Sequence, residues 1–167
     1  KEGQTRPLVA KEEKIVITGK TPADFVSGGI TPMQSASLLL ILVAGISIYG
    51  IRRGKTLWGI DLILFLIAGM AGCILAFLAL FSQHPAVSPN YILFVFHPFH
   101  LFCLPFMLSR VRKREISRYM LVNFVVLTLF IGLWTIIPQR IPPAVLPLAL
   151  CLLIRSASNL ILTYKRK

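Results

Sequence analysis

The chain has 167 residues, 56% of them hydrophobic and only 14% charged, and its mean hydropathy is +0.77. Ordinary soluble domains are about 25% charged, so these residues cannot cover a water-exposed surface of normal size. The net charge of +12 sits at the ends of apolar runs, without a groove of interleaved aromatic residues, which argues against nucleic acid as a partner.

Residues 1–32 are the only extended polar stretch. Their five basic and four acidic residues nearly cancel, and Gly19, Pro22, Gly28, Gly29 and Pro32 punctuate them into a linker with room for one short β-branched strand at Lys14–Thr18. So few apolar residues cannot bury a core of their own. The chain begins at Lys1 without an initiator Met or a signal peptide. Residues 1–32 are therefore expected to be an extracytoplasmic tether from an upstream domain.

Five apolar segments follow: Met33–Ile51, Trp58–Phe81, Tyr91–Leu108, Tyr119–Ile137 and Pro143–Tyr164. Each is long enough to cross about 30 Å of hydrocarbon as a helix rising 1.5 Å per residue. Lipid offers the backbone no hydrogen-bond partner, so the crossing elements must be helices. The expected fold is an all-α integral membrane bundle of five transmembrane helices.

The short connections alternate in charge. The first carries Arg52, Arg53 and Lys55, the second no Lys or Arg, and the third Arg110, Arg112, Lys113, Arg114 and Arg118. The fourth carries Arg140 alone, and the tail ends in Lys165, Arg166 and Lys167. The positive-inside rule then puts the C-terminus in the cytoplasm and the tether, His84–Asn90 and Pro138–Pro142 outside. In a bacterium that is the inner membrane, with the tether periplasmic. Cys73, Cys103 and Cys151 all fall within spans, as small buried apolar residues rather than disulfide partners.

Polar residues inside the spans are candidates for function. Arg155 lies near the middle of the last segment, where a charge costs at least about 2.5 kcal/mol and must face protein or water. Ser158, Asn159 and Thr163 continue its face. Two readings stand beside each other: a structural ion pair with Asp61, reached by snorkelling, or a guanidinium offered to a lipid phosphate. His97, His100 and Cys103 share a helical face as His-x-x-His-x-x-Cys. That spacing admits a metal or haem site, a Cys–His pair, or histidines that satisfy carbonyls freed by Pro98 and Pro105 or line a polar cavity opening outward. No metal or other cofactor is expected, since no second ligand cluster accompanies them. The outer loops are short and stiffened by proline, and they present His84, Ser88, Asn90, Gln139 and Arg140 on one side.

The residues His84-Pro-Ala, Tyr91, His97-Pro-Phe-His100-Leu, Ile137-Pro-Gln139, Pro142, Val145-Leu-Pro147 and Leu153-Ile-Arg155-Ser carry a resemblance. Together they resemble the carboxy-terminal membrane part of the Bacteroides-type lipoprotein N-acyltransferase family, over nearly the whole chain. At His97 the sequence departs from the Asn expected before the proline. The resemblance implies five membrane helices behind an extracytoplasmic catalytic domain. That enzyme transfers an acyl chain from a phospholipid to the terminal amine of a lipoprotein. The family's catalytic motifs belong to the upstream domain, so no catalytic residue is assigned in this chain. Its partners would be phospholipid, the lipoprotein substrate and the upstream domain of the same precursor. Arg155, His100, His97, His84, Asn90 and Arg140 are the candidate lipid or substrate contacts. A small transporter or channel subunit, and a haem- or metal-binding redox subunit, are the alternatives.

Overall fold

The first helix shows how local chemistry sets the ends of these elements. Thr31 Oγ1 accepts from the Gln34 amide (3.2 Å), while Gln34 Oε1 accepts from the Thr31 amide (2.9 Å). This capping box and Pro32 at the first helical position start α1, Pro32–Arg53. Gly54, at φ 61°, closes it in the left-handed conformation. The computed structural model describes residues 29–81 and 90–165. Most of the expected tether, residues 1–28, and the loop 82–89 with His84 and Ser88 lie outside the described residues. The helices belong to one compact unit, Thr31–Lys167, distinct from Lys1–Ile30.

Every described regular element is helical: α1, α2 (Trp58–Phe81), α3 (Phe99–Phe102), α4 (Leu104–Lys113), α5 (Arg118–Gly132) and α6 (Val145–Tyr164), with a 3₁₀ turn at Tyr91–Phe94. Three of them, α1, α2 and α6, are long and apolar enough to cross a membrane. Their large apolar side chains point outward, with Ile41 68% and Ile67 61% exposed, while Ser47, Asp61 and Arg155 are buried. Polar inside and apolar outside is the arrangement that lipid demands and water forbids. The chain is a multi-pass membrane protein.

The third apolar segment is not the straight rod expected over Tyr91–Leu108. Asn90 caps a 3₁₀ turn by accepting from the Ile92 amide, and the chain then breaks before Pro98. A second break at Cys103 sets Leu104–Lys113 at 78° to Tyr91–Phe102. Pro98 and Pro105 lack the N–H that a continuous ladder needs, which accounts for both interruptions. The segment nevertheless runs the length of α2. Leu101 and His97 lie against Gly69 and Gly72, and Arg112 sits 4.4 Å over the Trp58 ring. Gly69 and Gly72 make this approach possible, because a Cβ at Gly72 would stand 2.5 Å from the His97 carbonyl carbon.

The fourth segment is also shorter than expected. Its helix α5 ends at Gly132, and Leu133–Ile136 continue as turns, with the Ile136 amide bonded to the Leu133 carbonyl. Ser117 caps its start. Helix α6 packs between α1 and α5, and it buries more of its surface than the other two long helices. The apolar core lies between α2, α4, α5 and α6, around Phe65, Met107, Met120 and Leu127.

Candidate functional site

Most buried polar side chains among the described residues fall into two groups. The first is built on Arg155, which α6 carries into the interior at 1% exposure. Its Nε donates to Asp61 Oδ1 (2.7 Å) and its Nη2 to Asp61 Oδ2 (3.0 Å), a bidentate fork. Its Nη1 donates to Ser47 Oγ on α1 (3.0 Å), and Asn159, one turn along α6, donates to Asp61 Oδ2 (3.0 Å). Three helices are thereby tied through one buried carboxylate and one buried guanidinium. A short polar link on α5 supplements them, where Asn123 Nδ2 donates to Ser156 Oγ (2.8 Å). A guanidinium so enclosed has no face turned toward a lipid head group. The geometry gives Arg155 the ion-pair position of the two expected for it.

The second group surrounds His100, which is fully buried. The Val95 carbonyl can only accept, so His100 Nε2 carries the proton and donates to it (2.9 Å). In that neutral tautomer Nδ1 is an acceptor, and Tyr119 Oη donates to it at 2.6 Å. The Phe65 ring meets the imidazole edge-on at 5.1 Å, and the His97 ring stacks on its other side at 3.9 Å. Val95 is freed for this contact by the break before Pro98, so His100 repairs backbone that proline leaves open. Both nitrogens of His100 are committed, and a metal could reach it only by displacing one of these bonds. Among the described residues no group of three or more His, Cys, Asp or Glu side chains is placed to hold a metal. His97 Nδ1 is buried without a hydrogen-bond partner among the described residues.

Of the remaining expected residues, Asn90 and Arg140 are described. Asn90 is spent on its turn, and Arg140 is exposed beyond α5. The chain on either side of α5 does meet here: the Tyr91 amide donates to Gln139 Oε1 (2.8 Å). Beside this tie is an apolar groove of about 360 Å³, walled by Tyr91, Phe94, Val126, Leu129 and Leu133. Composition gave no sign of that groove, because it forms only where the 3₁₀ turn and α5 come together. Ser47 and Tyr119 also escaped sequence reading. A single hydroxyl in an apolar run carries no periodic signal, whereas a polar residue at i+4 from Arg155 does, as Asn159 shows.

Comparison with known proteins adds one finding. The family model described as the Lnb transmembrane domain matches residues 24–167, which include every helix described above. No curated protein and no solved structure matches the chain.

Proposed function

Because the chain belongs to the Lnb transmembrane domain family, we propose that it is the membrane domain of an envelope enzyme that N-acylates lipoproteins. In this reading the bundle holds an upstream catalytic domain against the outer face of the bacterial inner membrane. It also receives one acyl chain of the phospholipid donor or of the lipoprotein in the apolar groove beside the Tyr91–Gln139 tie. The observation that carries the reading is the groove itself. It lies where the Tyr91–Phe94 turn meets the second half of α5, beside the fourth connection. Its walls are apolar, and a site of about 300 Å³ or more is large enough for part of a small ligand. The alternation of Lys and Arg between connections puts that connection outside. Asp61, Arg155, His100 and Tyr119 serve the bundle's rigidity, and the bond-making groups belong to the upstream domain.

Leu129→Trp fills the groove at a position that is already 58% exposed to lipid, so the fold has room for it. Leu121→Trp, 48% exposed and outside the groove, is the control. Mass spectrometry of lipoprotein N-termini should show reduced N-acylation for Leu129→Trp and normal N-acylation for Leu121→Trp at equal protein levels. Normal acylation in both variants would reduce the bundle to an anchor.

A further inference from the structure

The opposite end of the bundle carries a larger opening with different chemistry. A groove of about 1110 Å³ lies between α4 and the start of α5. Its rim holds three cations, Arg110, Lys113 and Arg118, against one carboxylate, Glu115. Arg110 is bound to Glu115 at 2.6 Å, while Arg118 is exposed and has no ion-pair or hydrogen-bond partner among the described residues. Its inner wall is apolar and reaches Phe106, Met107, Cys103 and Tyr119. Phe106 is 77% exposed and continues the outward row of Phe99 and Phe102, both also exposed.

Two further features fix the depth of this opening. Helix α4 buries Leu104, Met107 and Val111 on one side and carries Arg110, Arg112 and Lys113 elsewhere, the pattern of a helix lying at a membrane interface. Arg112 over Trp58 and Arg53 over Tyr49 put cation–aromatic pairs at the same end, where such rings sit at head-group level. The rim therefore meets phosphates, and the apolar wall meets the chains below them.

We propose that this groove binds an anionic phospholipid of the leaflet at the basic end. Arg118 and Arg110 hold its phosphate, with Lys113 beside them, and one acyl chain runs along Phe106 and Ile116. The surplus of cations selects a lipid with net negative charge over a zwitterionic one. Capture here is independent of acyl transfer at the far end, so the test reads binding and not activity.

Native mass spectrometry of the full chain in neutral detergent can be titrated with phosphatidylglycerol, with phosphatidylethanolamine of the same chains, and with inorganic phosphate. Each surface cation contributes about fivefold to the affinity for an anionic lipid. Phosphatidylglycerol should accordingly bind at least about fivefold tighter than phosphatidylethanolamine. Arg118→Glu should abolish that preference, and Glu115→Gln should strengthen it. Inorganic phosphate should not compete, because the apolar wall contributes to holding the lipid. The proposal is overturned if the two lipids bind alike. It is also overturned if Arg118→Glu keeps the preference while retaining wild-type helicity by circular dichroism, or if phosphate displaces the lipid.

Discussion

Removing the carboxylate of Asp61 is the most direct perturbation of the bundle's interior. Asp61 accepts from Arg155 Nε, Arg155 Nη2 and Asn159 Nδ2, and the pair is 0% and 1% exposed. Asp61→Leu leaves a buried guanidinium whose remaining partner is Ser47. Breaking one side of such a pair costs about 3–5 kcal/mol, since the surviving charge has lost its compensation. Arg155→Leu exposes the mirror problem, an uncompensated carboxylate. The double variant Asp61→Leu/Arg155→Leu removes both charges and replaces them with apolar volume. It should be much less destabilised than the sum of the singles, by about 2 kcal/mol or more of coupling. Reversible unfolding in detergent, followed by circular dichroism on all four proteins, gives the cycle. Additivity of the two single effects within about 0.5 kcal/mol would refute the pair as an energetic unit.

Other substitutions test separate contacts. Gly72→Ala forces a Cβ to within 2.5–2.8 Å of the His97 backbone and should cost about 1–3 kcal/mol by overpacking, measurable in the same unfolding assay. Gly45→Ala meets nothing within 4 Å and should leave stability unchanged or raise it by up to about 1 kcal/mol. Tyr119→Phe removes the donor to His100 Nδ1 and leaves a buried acceptor unsatisfied, a loss of about 1–3 kcal/mol with the helices intact by circular dichroism. In a chain whose cysteines are first replaced, an impermeant maleimide should label Arg140→Cys from outside intact cells. Lys55→Cys should be labelled only after permeabilisation, and the reverse pattern would invert the orientation.

Much of this architecture is legible in the residues themselves. Lipid leaves only one way to satisfy the backbone, so apolar run length alone predicts α2 at Trp58–Phe81 and comes within two residues of α1 and α6 at each end. Electrostatic cost singles out Arg155, in the middle of one apolar run, and Asp61, just inside the start of another, as one of the two readings of Arg155 has it. The third segment departs from a rod because run length ignores backbone donors, and Pro98 and Pro105 each remove one. The role of His100 follows from that departure. The freed Val95 carbonyl takes its Nε2, in line with the reading that the histidines satisfy carbonyls freed by proline, whereas Tyr119, nineteen positions along the chain, takes its Nδ1. Tertiary proximity of this kind has no signature in a single sequence. Gly69 and Gly72 read as ordinary small residues of an apolar helix until the broken segment is seen resting on them.

The apolar groove beside the Tyr91–Gln139 tie is the feature on which the functional account turns. A phospholipid with a photoreactive diazirine in one acyl chain, incorporated into membranes with the full-length protein, reports its neighbours directly. After irradiation and digestion, the adduct should concentrate on peptides containing Tyr91, Phe94 and Leu129, and Leu129→Trp should remove it. Adduct spread evenly over lipid-facing positions such as Ile41, Ile67 and Phe77, with no change in Leu129→Trp, would contradict the account.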